Sequence, residues 1–221
     1  MAGIQNFVEF ADDFLGNEDF GTSASGSGWI IADTSAAGTP TYTRGGINGE
    51  ATLAFSSTAE IQNVCLYMGD DLNFDIDELI DIELRVKMGQ AAADAASSVA
   101  FGLASARNDA IDSIAEAALF RVIGADDTTA LVVESDDGTV NNDDVATGQS
   151  LVNVYKKFVI SFAAGKSDVR FYVDGVRVAA STTFDMSNYS GGLQPLIQLQ
   201  KTADANTDSV VIDYVKVISR R

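Results

Sequence analysis

The chain contains no histidine. That absence removes the imidazole base that activates a serine or cysteine nucleophile, and with it a common side-chain ligand for zinc and copper. Cysteine is nearly absent as well. Cys65 stands alone, so no intrachain disulfide forms and no cysteine-rich metal site is built. In the run V-C-L-Y-M it reads as a small buried apolar residue. No proline- or glycine-rich linker divides the chain. The 221 residues are therefore read as one domain, 1–221, long enough to bury a core without staples. Phosphate-cradling and dinucleotide-binding glycine motifs are missing. No apolar run approaches the roughly 20 residues of a membrane-spanning helix. The opening M-A-G-I-Q-N-F-V-E-F has neither the basic nor the apolar region of a secretion signal. These absences predict a soluble protein made in a cytoplasm.

Positive charge is scarce. Fourteen Lys and Arg face thirty-two Asp and Glu, a net charge of −18. Binding phosphates needs clustered bases, so nucleic acid and anionic membrane surfaces are excluded as partners. The charge serves solubility and suppresses unwanted contacts. It is also unevenly spread: before Arg85 the only base is Arg44, against fifteen acids, whereas from Asn153 onward nine bases meet six acids. Two readings stay open. Either the molecule is dipolar and copies meet acidic patch to basic patch, or strands from both ends interleave and the asymmetry averages out.

What the chain has in abundance is alternation of apolar and polar residues, the mark of half-buried strands. In Leu79–Met88, Ile80, Ile82, Leu84, Val86 and Met88 share one face and Asp81, Glu83, Arg85 and Lys87 the other. Gly49–Phe55, Glu60–Met68, Ser98–Ala106, Ala118–Ile123, Thr129–Glu134, Asn153–Ala163, Leu193–Gln200 and Ser209–Ile218 follow similar patterns. Asp168–Val178 places Asp174-Gly175 between alternating apolar residues, a hairpin signal, because a type I′ turn needs positive φ at both central residues. Turn clusters separate these runs at Thr22–Gly28, Gly45-Gly46, Asp136–Asp144 and Ser190–Gly192. Ala104–Glu116 reads either as a short helix capped by Asn108 or Asp109 or as a loop between strands. About a dozen strands at short spacing predict an all-β fold, an antiparallel two-sheet β-sandwich with at most one short helix.

Carboxylates are the remaining catalytic option. Asp81 and Glu83 project from the same face of a strand, but Asp75–Glu83 does not match the Glu-x-Asp-x-x-Glu spacing of laminarinases, and Arg85 and Lys87 beside them suit a plain charged surface. The predicted function is therefore not enzymatic. Within Asp136–Asp144, Asp136, Asp137, Asn141 and Asp143 supply the hard oxygens that calcium takes, though without the order of an EF-hand; the same composition suits a hairpin turn. Asp12 and Asp13 carry a weaker version of that ambiguity. Trp29, followed by Ile30 and Ile31, reads as core rather than as a sugar-stacking platform, and Tyr155, Tyr172 and Tyr214 as packing residues.

The last third carries a resemblance. Y-K-K-F-V-I-S-F (Tyr155–Phe162), D-V-R-F-Y-V-D-G-V-R-V (Asp168–Val178) and I-D-Y-V-K-V (Ile212–Val217) are similar to concanavalin A-like, laminin-G-type jelly-roll sandwiches. The resemblance implies a last strand paired with the start of the domain, here Phe7–Phe10. The acidic, histidine-free style of the chain resembles virion proteins of tailed bacteriophages, some of which carry such domains as capsid decoration or cement proteins. That implies a protein on the outside of the virion head, bound to the major capsid protein and to itself as a dimer or trimer. Ile4, Phe7, Arg220 and Arg221 are the candidate contact residues. A carbohydrate-binding module for host glycans is the alternative, and a glycoside hydrolase or lyase a more distant one.

Overall fold

The computed structural model describes residues 7–16, 20–22, 28–45, 48–71 and 74–221. Along the chain its strands are β1 (Phe7–Asp12), β2 (Ile30–Asp33), β3 (Thr41–Gly45), β4 (Glu50–Ala54), β5 (Gln62–Tyr67), β6 (Phe74–Asp75), β7 (Leu79–Met88) and β8 (Ser97–Ala104). They continue as β9 (Ala117–Ile123), β10 (Ala130–Asp136), β11 (Asn141–Ser150), β12 (Lys156–Ser161), β13 (Arg170–Val173), β14 (Val176–Val178), β15 (Gly192–Lys201) and β16 (Ser209–Arg220). The helical content among the described residues is two single 3-10 turns, Ile111–Ser113 and Lys166–Asp168.

Among the described residues the strands pair antiparallel and form two sheets, with one isolated parallel bridge from Gly21 to Ile30. The first runs β14–β13–β12–β7–β16–β4–β3, with β1 added along the end of β16. The second runs β11–β10–β9–β8–β15–β5–β2, with β6 beside β15. This is a jelly-roll sandwich of the concanavalin A-like kind. The pairing of β1 with β16, Phe7 opposite Arg220 through Asp12 opposite Val215, is the closure of last strand on first that the resemblance implies.

The core follows from the alternation. Leu84, Val86, Phe158, Ile160 and Phe171 of the first sheet meet Phe101, Leu103, Phe120 and Val122 of the second, all fully buried. Four of these rings interlock across the sheets: Phe158 stands edge-on to both Phe101 and Phe120, with centroids 4.8 and 5.1 Å away, and Phe171 lies edge-on to Phe120 at 5.3 Å. Such pairs contribute about 1 kcal/mol each beyond the area they bury. Trp29 is fully buried and donates Nε1–H to Asp12 (2.9 Å), which also binds Arg44. It is core, not a platform.

Two stretches differ from their sequence reading or settle its alternatives. Residues 105–116 form a loop containing the Ile111–Ser113 turn, not a capped helix; Asn108 instead braces the loop, accepting from Ala110 N–H and donating to Ser113 O. In Asp136–Asp144, only the first half is a turn. From Asn141 the chain is strand β11, paired with β10 through two register breaks. Its side chains are polar because it is an edge strand, exposed or half-exposed along its length.

Candidate functional site

The outer face of the second sheet is set by register. Across the strands run Ala32, Cys65, Gln198, Ala100 and Arg121 in one row, and Tyr67, Leu196, Gly102, Leu119 and Glu134 in the next. Gln194 and Gln200 flank these rows on β15. Small side chains in the middle make room for the 105–116 loop, which folds back over the sheet. Ile111 and Ile114 pack with Cys65, Ala100, Ala104, Ala117, Leu119 and Leu196 in a second, smaller core outside the sandwich.

One flank of that loop opens into a polar recess of about 330 Å3, lined by Asp70, Arg107, Asn108 and Asp109. Asp70 belongs to the turn after β5, and its Oδ1 accepts from Gln194 Nε2 at 2.8 Å. Arg107 binds Asp109 at 2.5 Å and lies over the half-buried ring of Tyr67, 6.0 Å from its centroid. Asp109 also accepts from Thr34 Oγ1. The hydrogen bond from Arg107 holds the Asp109 carboxyl below its ordinary range, so it is an anionic acceptor at neutral pH. Two carboxylates, a guanidinium and the Asn108 amide thus converge on one depression, with the Tyr67 ring beneath the guanidinium. That chemistry suits a ligand with several hydroxyl groups.

A recess of similar volume on the first sheet lies beside Tyr214, Glu83 and Lys216, whose polar groups are likewise paired within the fold. Tyr214 donates to Glu83 (2.6 Å), Lys157 pairs with Glu83, and Lys216 with Glu9. Asp81 and Glu83 project from this opposite sheet, at Ser161 and at Tyr214 respectively, and take no part in the Asp70–Arg107 recess.

The residues expected to hold calcium are not brought together. Asp137 is a turn anchor: its Oδ1 accepts from Thr139 and Val140 N–H and its Oδ2 from Asn188. Asp136 caps the same turn at Gly138, and Asn141 is exposed opposite it at the start of β11. Asp143 reaches Arg121 at 3.3 Å. Among the described residues, the carboxylates of Glu134, Asp143 and Asp144 lie within 4.8 Å of one another, and Arg121 binds all three together with Asp112 of the loop. Burial pushes the Glu134 carboxyl up to about 7, against the pull of Arg121 and helped by Asp143 and Asp144.

Of the candidate contact residues, Ile4 lies outside the described residues. Phe7 opens β1 with its side chain exposed, Arg220 ends β16 opposite it, and Arg221 is exposed beyond. Sequence reasoning missed Asp70, Arg107 and Tyr67 as parts of one site, and met Asn108 and Asp109 only as helix caps. The available signal was Arg107 itself, an isolated base next to Asn-Asp in an acidic, Ala- and Ser-rich neighbourhood.

No protein-family model and no curated protein matches the chain. Solved structures do. A Bacteroides ovatus glycoside hydrolase of family GH16 in complex with a mixed-linkage glucan product matches with a TM-score of 0.61 at 12% identity, over 94% of this chain and 99% of that one. The laminarinase of Flavobacterium sp. UMI-01 matches at 0.60 and 12%, over 94% and 98%. The carbohydrate recognition domain of Emp47p matches at 0.59 and 13%, over 95% and 96%. At such identities the likeness establishes the fold. It also corrects the expectation of a non-enzyme: two of these three sandwiches of the same architecture are glycoside hydrolases, so the fold does not argue against catalysis.

Proposed function

We propose that the chain is a carbohydrate-binding β-sandwich whose ligand sits in the recess formed by Asp70, Arg107, Asn108 and Asp109. The observation that carries this reading is the convergence of two carboxylates and a guanidinium beside the half-buried Tyr67 ring on an open sheet face. Carboxylates accept hydroxyl protons, and the guanidinium donates to ring and hydroxyl oxygens. The likeness to a carbohydrate recognition domain and to glucan-binding hydrolases supports the same reading. The setting we propose is a virion surface, on the resemblance of the acidic chain to tailed-phage proteins, with the major capsid protein as anchor and host glycans as ligand.

A glycan array probed with the wild-type protein tests the binding. Retention on at least one oligosaccharide class is expected, with Arg107→Ala weakening it tenfold or more, about 1.4 kcal/mol. No retention on any glycan, or unchanged retention by Arg107→Ala, overturns the assignment of the recess. Release of reducing ends from a retained glycan extends the function from binding to cleavage.

A further inference from the structure

The 105–116 loop divides the outer face of the second sheet. On one side lies the Asp70–Arg107 recess. On the other is a second recess of about 290 Å3, lined by Ser98, Ile111, Asp112, Ile123, Gln200 and Thr202 among others. The floor between them, under the loop, is rich in side-chain amides. Gln198 Nε2 donates to Asn108 O (2.7 Å), Asn63 Nδ2 to Asp109 O (3.1 Å) and Gln200 Nε2 to Asp109 O (3.0 Å). Backbone carbonyls of the loop thus occupy donors of the kind a sugar hydroxyl uses. One acceptor is left over: Gln198 is fully buried and its Oε1 has no hydrogen-bond partner in the protein.

The loop is also closed on itself as a compact unit. Its ends are pinched together by Ser105 N–H to Glu116 O (3.0 Å) and Ser105 Oγ to Glu116 Oε2 (2.8 Å), as in a compact Ω-loop. Glu116, where it rejoins β9, holds a left-handed φ of 44°, a strained position for a residue with a side chain. The polar hold on the sheet is the three amide bonds above, Ile111 N–H to Gln200 Oε1 (3.2 Å) and the pair of Asp112 with Arg121, in which Asp112 is 81% exposed, so water screens it. The apolar hold is the two side chains Ile111 and Ile114.

We propose that the 105–116 loop is a displaceable plug, and that the amide floor beneath it is a concealed stretch of ligand groove joining the two recesses into one cleft for an oligosaccharide. This rests on the carbohydrate reading above. A disaccharide fits the open recess with the plug seated; a longer chain binds only the opened form, and its apparent affinity is lowered by the small fraction that is open.

The single cysteine reports the plug without any sugar, because Cys65 is fully buried beneath the loop. The wild-type protein is labelled with N-ethylmaleimide across a series of low urea concentrations. If the plug opens locally, labelling is faster than global unfolding permits and nearly independent of urea, and Ile111→Ala speeds it at least tenfold. Laminarihexaose and laminaribiose are then titrated into wild type and Ile111→Ala. The expected result is at least threefold tighter binding of the hexasaccharide by the variant, with the disaccharide unchanged. Labelling that rises with urea in parallel with global unfolding overturns the plug. Local labelling with unchanged hexasaccharide affinity overturns the groove beneath it. Failure of wild type and variant to bind either sugar overturns the ligand assignment, and the labelling series identifies that failure as separate from the motion of the loop.

Discussion

Arg121 is the residue on which most elements of the outer face depend. Its fully buried guanidinium meets Glu134 of β10, Asp143 and Asp144 of β11 and Asp112 of the loop, while its aliphatic stem lies on the sheet. Removing one member of a buried pair leaves a charge without compensation, so Arg121→Ala is expected to lower the unfolding free energy by about 3–5 kcal/mol in urea titration at pH 8. The cost shrinks at pH 5, where Glu134 takes up a proton. The wild type has its own pH dependence here. The Glu134 carboxyl is raised from 4.5 to about 7 on folding. A raised acid contributes stability that is fully present below 4.5 and is lost as pH rises through 7. Asp109, Asp127, Asp137 and Asp168 act in the opposite sense, their carboxyls held low, and their contribution disappears only as pH falls below 4. The two windows are separate. Glu134→Gln should therefore flatten the decline in stability between pH 5 and 8; a decline as steep as that of wild type would remove Glu134 as its source. Within the sandwich, Phe120→Ala takes away a ring held by Phe101, Phe158 and Phe171, and should cost about 3–5 kcal/mol.

At the scale of elements, the sequence was legible wherever a strand has one buried face. Leu79–Met88 is β7 to the residue, and Asp174-Gly175 forms the two-residue hairpin between β13 and β14 with φ of 49° and 81°. Gly175 is the cleaner test of that turn, because an added Cβ there meets nothing within 4 Å and the whole penalty is backbone strain. Gly175→Val should lower stability by about 1–2 kcal/mol, read from the urea midpoint, with the fold unchanged. Legibility failed where strands lack a buried face. Thr41–Gly45 and Asn141–Ser150 are edge strands held by backbone pairing, so their side chains carry no alternation to read. The candidate site was illegible for another reason. Tyr67, Asp70 and Arg107 come from two segments some forty residues apart, and only the crossing of the loop over β5 and β15 makes them neighbours. No local pattern encodes that crossing. The cap signals at Asn108 and Asp109 were real chemistry, spent on bracing a loop instead of starting a helix.

For the whole molecule, the uneven charge of the sequence is partly undone by topology. Acids of the first half meet bases of the second: Glu83 with Lys157, Glu9 with Lys216, Asp77 with Lys166. This is the interleaving alternative, and it leaves the outer face of the first sheet laced with ion pairs, among them Arg85 with Asp213 and Arg170 and Arg177 with Asp168. Exposed pairs of this kind contribute about 0.2–1 kcal/mol each and fade with salt. Against them stands the mutual repulsion of an excess of eighteen negative charges, which salt also screens. The two effects oppose each other in sign, and the repulsion is the larger because acids outnumber bases more than two to one. The melting temperature should therefore rise as sodium chloride is raised from about 0.01 M to about 0.5 M, over which the screening length shortens from roughly 30 Å to a few Å. A melting temperature that falls over this range would mean that the cross-terminal ion pairs outweigh the repulsion, and that the first sheet is held together by charge to an extent its hydrophobic face does not require.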